Sequence, residues 1–279
     1  MSERSTRAAC VIGWPIKHSR SPLIHGYWIK QHGLDADYRR EEVAPEAFAD
    51  FIRNLSSRGY AGANVTIPHK EMALELSEPD DCARAAGAAN TLWLDGGRLR
   101  STNTDVEGFI ANLDDAVPGW AERTGEAVVL GAGGSARAVV YGLIGRGIGR
   151  INVVNRSRDR AEALRQRFGA AVHPADWRVL PGLLARCGLL VNTTSLGMTG
   201  QPPLAIDLGP LPQEAAVTDL VYAPLKTSLL AAAEARGLAV ADGLGMLLHQ
   251  AVRGFELWFG VRPRVTAELR RLVETDLGK

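Results

Sequence analysis

Short apolar runs alternate with amphipathic stretches along the chain, and this alternation predicts the architecture. Residues 8–12 and 61–66 are compact runs with apolar and β-branched side chains, which are typical of buried strands. Between them, residues 45–55 place apolar side chains at the spacing of one helix face. Gly96-Gly97 separates two further strand-like runs and predicts a hairpin. The first hundred residues therefore predict an α/β domain.

The second half of the chain repeats this alternation with more strongly apolar runs. The runs fall at residues 126–130, 151–155, 189–192, 217–220 and 239–241. Apolar strands separated by helices are typical of a parallel sheet that helices cover on both faces. An apolar stripe at helical spacing follows from Gly243 onward, and we predict that these C-terminal helices pack back against the first domain.

The length of the chain agrees with two domains. At about 150 residues per domain, 279 residues suggest two modest domains. A polar stretch with proline and glycine at residues 118–125 precedes the strongly apolar part. We place the first domain at residues 1–107 together with 246–279, and the second at residues 108–245.

Composition and charge exclude several classes of function. The 32 Lys and Arg nearly balance the 31 Asp and Glu, so the broad basic surface needed to bind nucleic acid is missing. No stretch is long and uncharged enough to predict a membrane span, and no apolar segment near residue 1 predicts secretion. Three scattered cysteines indicate reduced thiols, so we expect a cytoplasmic protein. No cysteine or histidine cluster has the spacing of a metal site.

A glycine-rich loop follows the first apolar run of the second domain and opens a helix. Gly131-x-Gly133-x-x-Ala136 matches the dinucleotide-binding fingerprint in the required position, and Ala132, Gly134 and Ser135 complete the loop. Glycines let the backbone approach a pyrophosphate, and the helix N-terminus offers N–H groups to it. We therefore predict a Rossmann-type cofactor domain, with a purely structural turn as the alternative.

The end of the next strand predicts which dinucleotide binds. An acidic residue there would accept hydrogen bonds from a ribose 2′-hydroxyl, but this chain has Asn155-Arg156-Ser157-Arg158, and Ser157 also fits the cap of the following helix. A guanidinium suits a phosphate dianion in charge and in geometry, so we expect NADP rather than NAD. The alternative is a solvated arginine at a helix start.

Polar residues also follow strands of the first domain. They occupy residues 13–22, 64–70, 90–91 and 103–105. In open α/β sheets ligands bind outside the carboxyl ends of the strands, so we expect these segments to line one cleft.

These residues and others resemble a known family, and the resemblance covers nearly the whole chain. The motifs are Gly13 to Pro22, Asn64 to Lys70, Gly87 to Thr91, Asn103 to Asp105, Gly131 to Gly134, Asn192 to Ser195, and Gly243-x-x-Met246-x-x-x-Gln250. Together, and in this order, they resemble the shikimate dehydrogenase family. The resemblance implies reversible reduction of 3-dehydroshikimate to shikimate with NADPH, a step of aromatic amino acid biosynthesis through chorismate.

The resemblance also implies roles for individual side chains. Ser19 and Ser21 would bind the substrate carboxylate. The alternatives are that Ser21 is only a helix N-cap and that Ser19 is only a turn residue. The remaining substrate ligands would be Thr66, Asn90, Tyr222 and Gln250, with a solvated side chain as the alternative for Gln250. Thr193, Ser195, Leu220 and Tyr222 follow later strands of the cofactor domain, so we expect them near the nicotinamide, with loop capping as the alternative for Ser195. Gly243 and Met246 complete the predicted cofactor ligands.

Lys70 and Asp105 resemble the catalytic pair. Reduction of a ketone leaves an alkoxide that must gain a proton, and the reverse reaction must remove one. The N-terminus of a helix disfavours the lysine cation, whereas a nearby carboxylate favours it, so the sequence leaves open whether Lys70 alone or the pair carries the proton. A solvated lysine and an N-cap aspartate are the alternatives.

Two rival functions stay open at this point. A relative acting on quinate or aminoshikimate would differ in its recognition of one ring substituent. A non-catalytic NADP-binding sensor would belong to another class, but it would not need Lys70 and Asp105. We expect a small-molecule substrate and a monomer or homodimer.

Overall fold

A computed structural model describes residues 7–278 of the chain. The elements up to the fifth helix are β1 (Arg7–Gly13), α1 (Ser21–Gln31), β2 (Ala36–Glu42), α2 (Pro45–Arg53), β3 (Tyr60–Val65), α3 (Lys70–Glu75), β4 (Glu78–Pro79), α4 (Asp81–Ala86), β5 (Thr91–Asp95), β6 (Arg98–Thr102) and α5 (Thr104–Ala116). The later elements are α6 (Trp120–Arg123), β7 (Ala127–Leu130), α7 (Gly134–Gly145), β8 (Ile151–Val154), α8 (Arg158–Phe168), β9 (Val172–Ala175), α9 (Leu180–Leu184), β10 (Leu189–Asn192), β11 (Ala216–Asp219), α10 (Ser228–Ala235), β12 (Ala239–Ala241), α11 (Gly243–Phe259) and α12 (Ala267–Leu277).

The chain divides into two compact units. The first holds the described residues up to Thr104 and those from Leu248 onward, and the second holds Asp105–Leu247. Residues 105–107 and 246–247, which we placed in the first domain, therefore belong to the second unit. The reason is that α5 and α11 are continuous helices within which the chain passes from one unit to the other.

The first unit contains a mixed six-stranded sheet in the order β2-β1-β3-β5-β6-β4. β1 pairs in parallel with both β2 and β3, while β5 pairs antiparallel with β3 and, through the predicted hairpin, with β6. Phe48, Phe51 and Ile52 of α2 pack in the core beside this sheet, as their helical spacing predicts. The loops that could bind a ligand follow the carboxyl ends of β1 and β3.

The C-terminal helices pack within the first unit, which confirms that prediction. The Trp258 indole of α11 donates a hydrogen bond to the Leu92 carbonyl at 2.8 Å, and Phe255 stacks on His25 of α1. Gly62 of β3 makes this approach possible, because a Cβ there would lie 2.2 Å from both the Leu92 oxygen and the Trp258 nitrogen.

The second unit contains a six-stranded sheet whose paired strands are all parallel, in the order β12-β11-β10-β7-β8-β9. Counted within the unit and from its other edge, this is the 3-2-1-4-5-6 order of a doubly wound dinucleotide-binding sheet. Alternate residues of β7 face two separate cores, with Val129 in one and Val128 in the other. Helices α7 and α8 cover one face and α9 and α10 the other, which confirms the Rossmann-type prediction.

Candidate active site

The glycine-rich loop lies at the carboxyl end of β7, at the point where the strand order of the second sheet reverses. Gly131 has φ +101°, and a Cβ on it would lie 2.7 Å from the Thr193 hydroxyl oxygen. Gly133, Gly134 and Ser135 are exposed, and α7 begins at Gly134 with no side chain at the N-cap bonding to its first N–H groups. A loop with so few side chains that leads into an uncapped helix N-terminus fits the pyrophosphate of a dinucleotide.

The end of β8 lies directly beside this loop. The Gly131 N–H donates to the Val154 carbonyl at 2.8 Å. Arg156 and Ser157 follow the end of β8 and are exposed. The side-chain NH₂ of Asn155 donates a hydrogen bond to the Ser157 carbonyl at 2.8 Å. Ser157 occupies the N-cap position of α8, but its hydroxyl caps no N–H group, contrary to our expectation that it caps this helix. The exposed hydroxyl and guanidinium fit a ribose 2′-phosphate.

The ends of β10 and β11 continue the line on the other side of β7. The Thr193 N–H and hydroxyl both donate to the Leu130 carbonyl, at 2.9 and 2.7 Å, and the Leu220 N–H donates to the Asn192 carbonyl at 3.0 Å. A Cβ on Gly243 would lie 2.4 Å from the Leu220 carbonyl oxygen, so the start of α11 packs on the same loop.

The other predicted cofactor positions of the second unit differ in their exposure. Ser195 is exposed, Tyr222 is half-buried, and Met246 is half-buried against the core of the unit. From β8 to β11 the strand ends span three strand spacings, about 14 Å. Dinucleotides bind across such a reversal point in doubly wound sheets, so the fold and the loop together fit NADP.

In the first unit, the loops that follow β1 and β3 are hydrogen-bonded to each other. The Thr66 N–H donates to the Ile12 carbonyl at 2.9 Å, and the Trp14 N–H donates to the Ile67 carbonyl at 3.1 Å. The Ser19 N–H donates to the Ile16 carbonyl at 3.0 Å within the first of these loops. The structure thus brings the loops of Ser19 and Thr66 to the same edge of the sheet.

The structure corrects the capping role that we considered for Ser21. Helix α1 begins at Ser21, so the N-cap is Arg20 and the Ser21 hydroxyl is not a cap. Ser21 is buried, and its N–H donates to the Ser19 hydroxyl oxygen at 3.3 Å. Because Pro22 fits either of the first two helical positions, the sequence alone left the start of the helix ambiguous by one residue.

Asn90 and Gln250 belong to one buried polar network of the first unit. The Asn90 carboxamide oxygen accepts hydrogen bonds from the Thr104 N–H at 2.8 Å and from the Thr91 and Thr104 hydroxyls at 3.1 Å each. The Thr104 hydroxyl also lies 3.4 Å from the Gln250 carboxamide oxygen. Gln250 is half-buried, and the contacts to the Asn90 oxygen orient the Asn90 NH₂ group.

Sequence reasoning missed two residues that organise this network. The Tyr38 hydroxyl donates to the Asn64 carboxamide oxygen at 2.6 Å, and the Asn64 NH₂ donates to the Thr91 hydroxyl at 3.1 Å. Burial raises the pKa of Tyr38, so its hydroxyl keeps its proton and remains a donor. Neither role has a signal in the sequence, because each depends on neighbours from other strands.

Lys70 is the first residue of α3, and its position is fixed by its neighbours. Its carbonyl accepts a hydrogen bond from the Ala89 N–H at 2.8 Å, directly before Asn90. The preceding His69 stacks on Phe48 with ring centroids 4.3 Å apart and bonds to the Val43 carbonyl at 2.7 Å. Lys70 is half-buried, so its side chain is partly shielded from solvent.

Asp105 is half-buried in the first turn of α5 and belongs to the second unit. The helix already begins at Thr104, so Asp105 is not its N-cap.

Neither a metal cluster nor a membrane-spanning helix is found between residues 7 and 278. No three His, Cys, Asp or Glu side chains in that range come together as metal ligands would. None of the helices described there has both the length and the apolar character to cross a bilayer.

Comparison with known protein families matches three segments of the chain. Residues 11–92 match the family described as "Shikimate dehydrogenase substrate binding domain". Residues 120–197 match "Shikimate / quinate 5-dehydrogenase", and residues 243–269 match "Shikimate 5'-dehydrogenase C-terminal domain".

Similar proteins and solved structures agree with these matches. "Shikimate dehydrogenase (NADP(+))" of Nitrobacter winogradskyi is 67% identical over 276 residues, which is 99% of each chain. The crystal structure of shikimate 5-dehydrogenase from Thermus thermophilus in complex with NADP(H) and shikimate is 33% identical, with a TM-score of 0.84 over 97% of this chain and 98% of that one. Quinate dehydrogenase from Corynebacterium glutamicum in complex with NAD is 31% identical, with a TM-score of 0.87 over 97% and 99%. This chain therefore belongs to the shikimate dehydrogenase family.

Proposed function

We propose that this protein is an NADP-dependent shikimate dehydrogenase, which reversibly reduces 3-dehydroshikimate to shikimate with Lys70 and Asp105 as its proton relay. The observation that carries the proposal is the 67% identity, over 99% of both chains, to a relative named for this activity and this cofactor. The polar edge of the first sheet and the dinucleotide fold of the second unit support it from the structure.

The first unit binds the substrate. Ser19 and Ser21 donate their hydroxyl hydrogens to the substrate carboxylate, close to the uncapped start of α1, where N–H groups also favour an anion. Thr66, Asn90 and Gln250 bind the ring hydroxyls. Asn90 suits this task because its carboxamide oxygen is held by Thr91 and Thr104, which fixes the direction of its NH₂ group.

The second unit binds the cofactor. The Gly131–Gly134 loop and Ser135 hold the pyrophosphate, while Asn155, Arg156 and Ser157 hold the adenosine end with its 2′-phosphate. Thr193, Ser195, Leu220, Gly243 and Met246 line the nicotinamide end, and Tyr222 contacts the substrate. When bound, NADPH supplies the hydride and NADP⁺ accepts it.

Lys70 and Asp105 move the proton. In the reduction, Lys70 donates a proton from Nζ to the oxygen of the former carbonyl, and in the reverse direction it accepts the hydroxyl proton there. Asp105 is the second member of the proposed relay and binds a substrate hydroxyl through its carboxylate. The contact between the Lys70 carbonyl and the Ala89 N–H keeps α3 in register with Asn90, so the proton donor and a hydroxyl ligand are held beside each other.

Quinate dehydrogenase is the second candidate, since the C. glutamicum enzyme in complex with NAD is similar over nearly the whole chain. Arg156 and Ser157 favour NADP over NAD at the position that binds the adenosine ribose.

We also propose that the protein is a cytoplasmic monomer or homodimer. The three cysteines, Cys10, Cys82 and Cys187, form no disulfide among the described residues, which fits a reducing compartment.

Steady-state assays at 340 nm test the function directly. We expect the highest kcat/KM with shikimate and NADP⁺, compared with quinate, aminoshikimate and NAD⁺. A higher kcat/KM with quinate would assign the protein to that branch of the family. Binding of NADP⁺ without NADPH formation from any of the three compounds would instead support a sensor.

A further inference from the structure

Asp219 is a buried carboxylate at the end of β11, in the second unit. It is 1% exposed, and within residues 7–278 no cationic side chain pairs with it. Three hydrogen bonds compensate its charge. They come from the Asn192 NH₂ at 2.8 Å, the Val221 N–H at 3.0 Å and the Thr227 hydroxyl at 2.7 Å.

Burial of this group opposes its ionised form. Burial raises the pKa of Asp219, and the hydrogen bonds from Thr227, Val221 and Asn192 counteract the increase. Burying a carboxylate without a cation costs free energy that a neutral side chain would avoid. The three segments that this carboxylate holds together therefore indicate its role.

Its three donors belong to three separate segments. Asn192 ends β10 and organises the following turn, because its carboxamide oxygen accepts from the Thr194 N–H at 3.0 Å and the Thr194 hydroxyl at 2.7 Å. Val221 belongs to the loop after β11. Thr227 caps α10, accepting from the Leu230 N–H at 3.4 Å. One carboxylate thus joins both loops to the start of a helix.

These two loops carry the side chains that we assign to the nicotinamide end. Thr193 and Ser195 lie in the first loop, Leu220 lies in the second, and Gly243 packs on the Leu220 carbonyl. Both loops lie across β7 from β8, where Arg156 is placed to bind the 2′-phosphate. In a doubly wound sheet, the two halves of a dinucleotide occupy opposite sides of the reversal point.

We propose that Asp219 is a positioning residue for the nicotinamide half of the cofactor, fixing the loops after β10 and β11 through its three hydrogen bonds. This inference rests on the proposed NADP-dependent function. It assigns no contact between Asp219 and the cofactor, since the carboxylate acts through Asn192, Val221 and Thr227.

Calorimetric titration of the whole protein with two ligands tests the proposal. NADP⁺ reports both halves of the site, whereas 2′,5′-ADP reports only the adenosine half. In Asp219→Ala we expect the affinity for NADP⁺ to fall about tenfold or more, as expected for lost charge-assisted hydrogen bonds, while the Kd for 2′,5′-ADP stays within about twofold. Asp207→Asn is the matched control, because Asp207 is exposed, lies well beyond Ser195 along the chain and accepts from the Gly209 N–H without contacting Asn192, Val221 or Thr227.

Asp219→Asn keeps the size of the side chain and is the second variant if Asp219→Ala does not fold. The carboxamide oxygen of this variant can still accept hydrogen bonds from Val221 and Asn192. We therefore expect a smaller loss of affinity, again for NADP⁺ only. An equal loss for both ligands would reduce Asp219 to a structural role, and an unchanged affinity for NADP⁺ in a folded variant would overturn the proposal. If instead the wild-type protein turns over none of the candidate substrates, the proposed function fails, while these affinities still decide the role of Asp219.

Discussion

At the scale of single residues, the structure fixes the backbone from which the Lys70 side chain extends. His69 is held by the Phe48 ring and the Val43 carbonyl, and the Ala89 N–H donates to the Lys70 carbonyl. The amine therefore extends from a rigid turn beside Asn90. Such placement is what a positioned acid and base requires.

Replacing Lys70 by alanine removes the proposed proton donor. We expect kcat to fall about 10²-fold or more, the usual contribution of a positioned acid or base, with a smaller change in the KM for shikimate. Steady-state kinetics at 340 nm measure both values. Lys30→Ala, an exposed lysine of α1, is the control and should keep wild-type kinetics. Near-normal turnover in Lys70→Ala would remove Lys70 from the mechanism.

Replacing Arg156 by glutamate tests the choice of cofactor. A carboxylate at the end of β8 repels the 2′-phosphate and can accept a hydrogen bond from a 2′-hydroxyl. We expect the preference for NADP⁺ over NAD⁺, as a ratio of kcat/KM values, to fall by about 10-fold to 100-fold. Arg160→Glu makes the same charge change at an exposed site in the same segment and should keep the preference. An equal effect of both variants would point to general electrostatics instead of a phosphate site.

The sequence indicates candidate site residues most readily where they belong to a local motif. The glycine loop, Arg156 and Lys70 lie next to a strand end or a helix start, which a linear pattern can indicate. The caps at Ser21 and Ser157 were wrong, because side chains that fit a cap position need not bond there. Tyr38, Asn64 and Asp219 were missed, because their roles arise from pairing between distant strands.

At the scale of elements, aromatic rings connect α1 to β2 and α11. His25 is fully buried, with its ring 4.1 Å from that of Tyr38 and 5.9 Å from that of Phe255. Among the described residues, neither of its ring nitrogens has a hydrogen-bond partner within bonding distance. Burial lowers the pKa of His25 to about 3, so the folded protein holds it neutral.

His25 therefore makes the protein sensitive to acid. Above pH about 6.5 the ring is neutral in both the folded and unfolded states, and it has no effect on the pH dependence of stability. Below that pH the unfolded chain binds a proton at His25 and the folded protein does not. The free energy of unfolding therefore falls by up to about 1.4 kcal/mol per pH unit until the pH approaches 3. We expect His25→Phe to reduce the loss between pH 7 and pH 5 by about 2 kcal/mol, measured by urea unfolding.

The control for this measurement is His18→Gln, which alters an exposed histidine. It should lose as much stability between pH 7 and pH 5 as the wild type. If His25→Phe also behaves like the wild type, His25 is protonated in the folded protein and its burial does not set the pH dependence.

Gly62 limits how β3, β5 and α11 pack. A methyl group at this position would lie 2.2 Å from the Leu92 carbonyl oxygen and 2.2 Å from the Trp258 indole nitrogen. We expect Gly62→Ala to lower the free energy of unfolding by about 1–3 kcal/mol through overpacking, measured by urea denaturation. Gly26→Ala, where a Cβ on α1 would meet nothing within 4 Å, should be neutral or slightly stabilising. Equal effects of the two substitutions would contradict the packing argument.

Elements were predictable from sequence in proportion to their apolar content. The strands that pair in the centre of the second sheet are fully buried and were found from their apolar runs. β9 was missed because it contains His173 and Pro174, and only its first residue is buried. The two-residue β4 and the single turn α6 are too short to produce a periodic pattern.

At the scale of the whole molecule, the chain divides its tasks between two units. The mixed sheet of the first unit presents hydroxyl and amide side chains near its strand ends, as a polyhydroxylated acid requires. The parallel sheet of the second unit presents a glycine loop at its reversal point, as a dinucleotide requires. The apolar runs and the resemblance predicted both sheets, but the exact residues at which one unit passes to the other lie inside continuous helices and left no signal in composition.

The central claim is direct transfer of a hydride between NADPH and 3-dehydroshikimate, and isotope labelling tests it most directly. The protein is incubated with 3-dehydroshikimate and NADPH deuterated at the transferable position of nicotinamide C4, and the product is analysed by mass spectrometry and NMR. We expect shikimate with one deuterium, on the carbon that carried the carbonyl group. Product without deuterium, or labelled coenzyme that is not consumed, would contradict the account.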